Sequence, residues 1–417
     1  MSAVAKYLYK KGYDVSGSDS THTDIIAHLE EKYGFIYAGD HHPDNLHSNV
    51  NLVVYTPAVG PGNVEYDKAL TLGLDMHSYP EYLGIISKEK KTIAISGTNG
   101  KTTTTTMTAE VLINLELEPT VIVGGVMKAF DTNYIDGNSD LFVVEACEYK
   151  NSFLSLTPDV LVLTNITPDH LDFFGTYENY KEVFIKLINN MESGSSLICN
   201  EHDSELQDVV EVAKSKGIQV LDYMTIPEPK LKIPGDHNVM NAQAALAVAH
   251  ALGADVQQAG EYLQESFEGS KRRFEHVGET EAGISVYDDY AHNPEALVTL
   301  IQGLKEQDPD RAVILFFQPH LYSRTKDLFG EFTQALILAD QVILLPIYAA
   351  REIDDSEMSS IILSEGMKLL EPECSVDVVS DFEEAVEVFE SYKLPKKNIV
   401  ITAGAGDIYK LSVMLVQ

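Results

Sequence analysis

Thr92-Ile-Ala-Ile-Ser-Gly-Thr-Asn-Gly-Lys-Thr-Thr-Thr-Thr-Thr106 is the stretch on which the reading of the fold turns. The apolar run Ile93, Ala94, Ile95 predicts a buried strand, and the segment after Lys101 predicts a helix. Between them lies Gly97-Thr98-Asn99-Gly100-Lys101-Thr102, in the strand–loop–helix context that a phosphate-binding loop requires. Gly97 and Gly100 let backbone N–H groups turn toward an anion, and the helix that starts there adds the positive end of its dipole. Lys101 offers a mobile charge for β- and γ-phosphates, and the Thr102 hydroxyl is suited to ligate Mg²⁺. Two residues separate the glycines, fewer than in the commonest form of the motif. A turn that merely caps a helix leaves a lysine followed by five threonines unexplained, because threonine is a mediocre helix former. The run reads as selection for hydroxyls.

Outward from this loop, apolar or β-branched runs at 120–123, 141–145 and 160–164 alternate with helical patterns, as in a mainly parallel sheet. A long alanine-rich helix is expected from about Asn238. After about Lys271 the alternation restarts, with strands expected at 284–288, 312–317, 341–345 and 398–402. Upstream, a helix opens the chain and Gly12 ends it, a short strand follows near Ser16, and residues 52–55 form another strand. Residues 63–86 read as a helix and a strand, and Lys88-Glu-Lys-Lys91 as a linker into the central strand.

Length and charge bound the function. A chain of 417 residues exceeds what one core usually supports, so two or three domains are expected. With 64 acidic against 30 basic residues and a formal charge of −34, a nucleic-acid partner is excluded by repulsion. No apolar run approaches a membrane span or a signal peptide, so neither membrane insertion nor export is expected. The three cysteines, Cys147, Cys199 and Cys374, give no disulfide or zinc pattern, and a cytoplasmic location follows. Cys147 lies beside two acids that should raise its pKa, and it reads as packing.

Three further segments carry polar groups at element ends. Glu145 closes a strand, with Glu148 after it; it is either a Mg²⁺ ligand or one more surface acid. Thr164-Asn-Ile-Thr-Pro-Asp-His-Leu-Asp172 crowds Asn165, Asp169, His170 and Asp172 into one turn, which favours metal or phosphate contact. In Pro234-Gly-Asp-His-Asn-Val-Met-Asn241, Asp236 or His237 could equally cap the helix that follows. Lys271-Arg-Arg-Phe-Glu275 is a basic cluster where a domain boundary is expected, and Tyr287-Asp-Asp-Tyr-Ala-His-Asn-Pro294 ends a strand with Pro294 in the next helix's first turn.

Taken in order, these segments resemble the Mur ligases, the ATP-dependent amino-acid ligases of peptidoglycan synthesis, over nearly the whole chain. The alanine-adding branch is the one resembled, through Val15-Ser-Gly-Ser-Asp19, Glu145-Ala-Cys-Glu-Tyr149, Ser152-Phe-Leu154, Arg272-Arg-Phe-Glu275, Phe317-Gln-Pro-His-Leu-Tyr-Ser-Arg-Thr325, Tyr348-Ala-Ala-Arg-Glu352 and Gly404-Ala-Gly-Asp407. The resemblance implies an α/β chain of three domains. These are a Rossmann-like UDP-sugar domain over 1–88, a central P-loop ATPase domain over 89–271, and a Rossmann-like domain binding the amino acid over 272–417.

It further implies that ATP phosphorylates the carboxylate of UDP-N-acetylmuramate, and that the amine of L-alanine attacks the acyl phosphate. Gly97, Thr98, Asn99, Gly100, Lys101 and Thr103 would cradle the phosphates. Thr102 and Glu145 would hold one Mg²⁺, and His170 would contact a second. His237, Asn238 and Asn241 fall where the family binds adenine; Arg273 would reach ATP from the domain junction, and Asp289 would lie near the ribose. His292 and Arg324 would hold the amino acid, and Ser18 and Asp19 would face the uridine end. Lys101, His170, His292 and Arg324 are the expected catalytic residues, in a monomer or homodimer.

Three departures accompany the resemblance. The family's glycine-rich loop and its strand would precede Met1 and are not in the sequence as read, so ATP binding through the central domain but weak UDP-sugar binding is expected, with the apolar face that the absent strand would cover exposed and the neighbouring strand left as an unpaired edge. Leu321 stands where some alanine-adding members have arginine. Phe184 falls near the position of a carbamylated lysine in sister ligases. A ligase that recycles preformed peptide, and a nucleotide-binding homologue without ligase activity, are the alternatives.

Overall fold

The computed structural model describes residues 1–416 except 48, 234, 351, 354–356, 393, 394, 396 and 397, and without the side chains of 172 and 307. Pro234, Arg351 and the Asp172 side chain, from the motifs quoted above, thus lie outside the described residues. The chain forms two compact units, one of residues 1–231 with 239–267, the other of 232–238 with 268–417.

The first unit is built on a seven-stranded sheet of β5 (Lys91–Ser96), β6 (Thr120–Met127), β7 (Thr132–Ile135), β8 (Leu141–Glu145), β9 (Val160–Leu163), β10 (Ser196–Cys199) and β11 (Gln219–Asp222), numbered after the four strands upstream. Its order is β11-β10-β9-β5-β8-β6-β7, parallel throughout except for the β6–β7 pair. The centre of the sheet is strand β5, buried from Thr92 onward; it ends in the quoted loop. Register matters here. Ile95 pairs with Glu145 and Ser96 with Leu163, so the carboxyl ends of β8, β5 and β9 come out side by side. Phe142, Val144, Leu161 and Leu163 pack one face against Tyr180, Phe184 and Leu187 of the helix Tyr177–Asn190.

Two expectations about the unit fail. Residues 88–91 are no linker, because the helix Tyr79–Glu89 runs through Lys88 and β5 begins at Lys91. A capping box between Ser78 and Glu81 starts that helix, and the burial of Leu83, Gly84 and Ile86 holds it in place to its end. The helix that opens the chain, Ser2–Lys10, does not leave its apolar face uncovered: Ala3, Val4, Tyr7 and Leu8 join the core of the sheet. Its Lys6 ammonium donates to Thr132 Oγ1 (3.1 Å) and Asn133 Oδ1 (3.0 Å) of β7. The four upstream strands, β1 (Ser16–Gly17), β2 (Ile36–Tyr37), β3 (Leu52–Tyr55) and β4 (Asp75–Ser78), pair only as β1–β2 and β3–β4, and none of their residues is fully buried.

The second unit carries the order β12-β13-β17-β14-β15-β16, with β12 (Glu275–Glu279) antiparallel on β13 (Ser285–Asp289) and the rest parallel. Strands β14 (Val313–Phe317), β15 (Gln341–Leu344) and β17 (Ile399–Ala403) match the expected runs closely, whereas the edge strands β12 and β16 (Val376–Val378) were not read from the sequence. Pro294 takes the first turn of the helix Pro294–Gln307, as its fixed φ favours.

Candidate active site

The loop after β5 turns on two positive-φ glycines, Gly97 (φ 129°) and Gly100 (φ 82°). Neither position has room for a side chain. A Cβ on Gly97 would collide with Thr164 Oγ1, and one on Gly100 would lie 2.5 Å from Asn241 Oδ1. The segment after β9 clamps the loop. Asn165 accepts from Thr98 N through its carbonyl (3.0 Å) and from Asn99 N through Oδ1 (2.9 Å), while Thr164 Oγ1 donates to the Asn99 carbonyl (2.5 Å). Thr98 Oγ1 donates to the Thr167 carbonyl (3.0 Å) and lies 2.9 Å from the Tyr180 hydroxyl. The helix Lys101–Asn114 starts at Gly100 with no side-chain cap, so its first N–H groups remain available to an anion.

Lys101 folds back over the loop. Its ammonium donates to the carbonyls of Gly97 (2.5 Å) and Thr98 (2.8 Å) and to Glu148 Oε1 (3.0 Å). Burial alone would lower its pKa, but Glu148, and more weakly Cys147 and Glu145, hold it above the ordinary value. Thr102 Oγ1 donates to Glu145 Oε1 (2.9 Å), and Glu145 Oε2 accepts from Gly124 N (2.7 Å). Thr102 and Glu145, named together as Mg²⁺ ligands, are therefore adjacent.

Glu148 is the residue that the sequence reading left without a role. It is fully buried, its Oε1 also accepts from Tyr180 (3.3 Å), and its Oε2 has no hydrogen-bond partner. His170 Nε2 is 3.9 Å from Glu148 Oε1 and 3.7 Å from Asp169 Oδ2, and one ligand atom from each of the three lies within 4.8 Å of the others. A buried carboxylate with one oxygen left without a donor and the other near an imidazole, grouped with a second carboxylate, fits a divalent cation. His170 is fixed there by a left-handed backbone (φ 52°) and by Tyr149, whose ring centroid is 4.6 Å away. The only sequence signal for Glu148 is its place three residues after Glu145; Tyr180 gave none.

Cys147 needs correction: its side chain is exposed rather than packed. Crowding by protein and then the charge of Glu148 push its thiol up to about 11, so it is a poor nucleophile. Thr103 is half-buried beside Thr102. An open cleft of about 470 Å³, lined by Tyr55, Tyr66, Ser78, Lys150 and Ser152 among others, borders the turn that carries Glu148. Further off, Ser18 Oγ donates to Glu65 (2.5 Å), which also accepts from Asn45 (2.6 Å), while Asp19 is exposed.

In the second unit the two arginines differ. Arg272 donates to Asp288 Oδ2 (3.1 Å) and to the carbonyls of Gly404 (2.6 Å) and Gly406 (3.0 Å), stacked between Tyr290 (5.1 Å) and Tyr409 (4.9 Å). Arg273 lies 5.1 Å from the Tyr290 ring centre, and its charge acts on Asp289. Burial raises the Asp289 pKa in spite of Arg273 and of the N–H groups of Phe274 and Ala291. His237 is exposed, yet desolvation by neighbouring protein lowers its pKa, against the pull of Asp289. Asn238 and Asn241 are both buried, on the helix Asp236–Ala251.

His292 and Arg324 come together through a third residue, His320. The two imidazole centroids are 6.3 Å apart, and Arg324 NH1 is 3.4 Å from His320 Nδ1. Burial, then Arg324, lowers the His320 pKa, leaving a neutral ring between a histidine and a guanidinium. Leu321 carries φ 71° and ψ 132°, outside the usual range for a leucine, and its N–H donates to Tyr348 O (2.9 Å).

Known proteins bear directly on this arrangement. The descriptions "Mur ligase family, catalytic domain", "Mur ligase middle domain" and "Mur ligase, glutamate ligase domain" match residues 1–91, 95–228 and 272–406. A Clostridium tetani protein named UDP-N-acetylmuramate–L-alanine ligase is 37% identical over 98% of this chain and 94% of its own length. One of the same name from Clostridium perfringens is 36% identical over 100% and 95%. The crystal structure of UDP-N-acetylmuramate–alanine ligase from Thermotoga maritima superposes with a TM-score of 0.81 at 30% identity, covering 100% of this chain and 95% of that one. The clamped phosphate loop, the two carboxylate groupings beside it and these full-length similarities lead to one conclusion: the chain belongs to the Mur ligase family.

Proposed function

We propose that this protein joins L-alanine to UDP-N-acetylmuramate at the expense of ATP, through an acyl phosphate. The observation that carries the reading is the Lys101 loop flanked by Thr102–Glu145 and Glu148–Asp169–His170, in a chain similar over its full length to ligases named for that reaction. The loop N–H groups and the start of the helix Lys101–Asn114 would receive the phosphates, and Lys101 would follow the charge on the transferring phosphoryl group. Thr102 with Glu145, and Glu148 with Asp169 and His170, would hold Mg²⁺. Bound there, Mg²⁺ neutralises charge that would otherwise keep two anions apart.

The muramate carboxylate attacks the γ-phosphorus and ADP leaves; the alanine nitrogen then attacks the acyl carbon, the C–N bond forms and phosphate departs. Arg324, with His320 and His292, would take the alanine carboxylate. His320, whose pKa burial and Arg324 lower, would accept the proton the amine loses. Arg273 and Asp289 would engage the nucleotide, and the 470 Å³ cleft would take part of the sugar nucleotide.

The test offers L-alanine, glycine, L-serine and a preformed tripeptide in turn and follows product by mass. Preferred addition of one alanyl residue supports the reading. Preferred addition of tripeptide would replace it with the recycling reaction.

A further inference from the structure

Lys101 and the cation position at Glu148 compete for one carboxylate. All three ammonium protons of Lys101 are engaged by protein oxygens, and among the described residues Glu148, at 3.0 Å, is its one carboxylate partner. The Glu148 oxygen that accepts from Lys101, Oε1, is also the one 3.9 Å from His170 Nε2, while Oε2 is buried without a hydrogen-bond partner. An ammonium at 3 Å from a carboxylate repels any divalent cation that approaches the same group, and the repulsion is strong where water is excluded. Phosphate oxygens are better acceptors for the ammonium than two loop carbonyls, because both partners are then charged.

We propose that in the nucleotide-free protein Lys101 acts as the resident counter-ion of Glu148, and that nucleotide phosphates, by drawing Lys101 away, open the Glu148–Asp169–His170 position to a divalent cation. Nucleotide and this second cation then bind with positive coupling, while the cation at Thr102–Glu145 has no such gate. Thr98 and Tyr180 take part as positioning residues. The Tyr180 hydroxyl bridges Thr98 Oγ1 (2.9 Å) and Glu148 (3.3 Å), so the loop and the carboxylate keep their relation when the lysine leaves. The inference rests on the loop's binding nucleotide, and not on which acceptor the enzyme uses.

The experiment uses the full chain, without nucleotide or acceptor, and Mn²⁺ followed by electron paramagnetic resonance. Lys101→Met should bind Mn²⁺ more than tenfold tighter than the unmodified protein. Adding Glu148→Gln to Lys101→Met should remove that gain, whereas adding Glu145→Gln should leave it. Equal Mn²⁺ affinity with and without Lys101, or a gain that survives Glu148→Gln, overturns the proposal. Should Lys101→Met not fold, amine labelling of the unmodified protein decides. Saturating Mn²⁺ should raise acylation of Lys101 severalfold, and unchanged labelling overturns the proposal. Failure here with normal alanine ligation leaves the proposed function standing; success with no ligation does the reverse.

Discussion

Arg272 and Arg273 are neighbours in sequence with different surroundings, and only one of them holds the fold together. Arg272 neutralises Asp288, which is 2% exposed and whose pKa burial raises to about 6 in spite of the guanidinium. A carboxyl whose folded pKa lies above its unfolded value favours the native state when protonated, and that advantage fades as pH rises through about 6. Arg272→Ala should therefore cost more at pH 8, about 3 kcal/mol for a buried carboxylate left alone, than at pH 4, where Asp288 is neutral. Denaturant titrations at both pH values check this, and equal losses would contradict it. At the loop, Lys101→Ala should lower kcat by about 100-fold or more, because its work is on the transferring phosphoryl group, and should also lower the melting temperature, because buried Glu148 loses its counter-ion. Glu145→Gln and His170→Ala should each raise the Mg²⁺ concentration needed for half-maximal rate; unchanged Mg²⁺ titrations in both would return them to surface roles. These residues were legible because strand ends and glycine spacing mark them. Glu148 and His320 were not, since a residue's burial and its partners come from the packing of segments distant in the chain.

The helix Lys101–Asn114 shows where reading an element by composition misleads. Its threonine run reads in the sequence as a set of functional hydroxyls, and Thr102 does reach a carboxylate. Thr105 donates to the Lys101 carbonyl (2.8 Å), while the hydroxyls of Thr104 and Thr108 are buried with no hydrogen-bond partner. Most of the run fills core space beside the sheet. Thr104→Val keeps the shape and removes an unsatisfied hydroxyl, so it should leave activity unchanged and raise stability by about 1 kcal/mol. Thr102→Val, by contrast, should raise the Mg²⁺ concentration needed for half-maximal rate, as Glu145→Gln does. Thermal melts and Mg²⁺ titrations of the pair separate the two roles, and a loss of activity in Thr104→Val would contradict the assignment. Strands with continuous apolar runs, β5, β8, β9, β14 and β17, could be read because both faces are buried. The antiparallel edges β7 and β12 could not, since Thr132–Ile135 and Glu275–Glu279 carry mixed polar residues and owe their conformation to their neighbours.

Across the whole molecule burial is uneven. Strands β5, β9 and β17 are buried along nearly their full length, while β1–β4 have no fully buried residue and pair only two by two. Amide exchange should accordingly be fast in β1–β4 and slow in β5, β9 and β17, and comparable protection in both sets would contradict this distribution of stability. The mainly parallel sheet, the central loop and the family followed from ordered motifs that span the chain; the strand order did not. The passage from helix to β5 without a linker, and the docking of the first helix on β7, depend on contacts that no local pattern encodes. The central claim is that phosphoryl transfer here serves an acid–amine ligation. It is tested most directly by phosphate release from ATP with UDP-N-acetylmuramate and L-alanine supplied together, singly and not at all. Sustained release only when both are present is the predicted result; release at one rate in all four mixtures would contradict it.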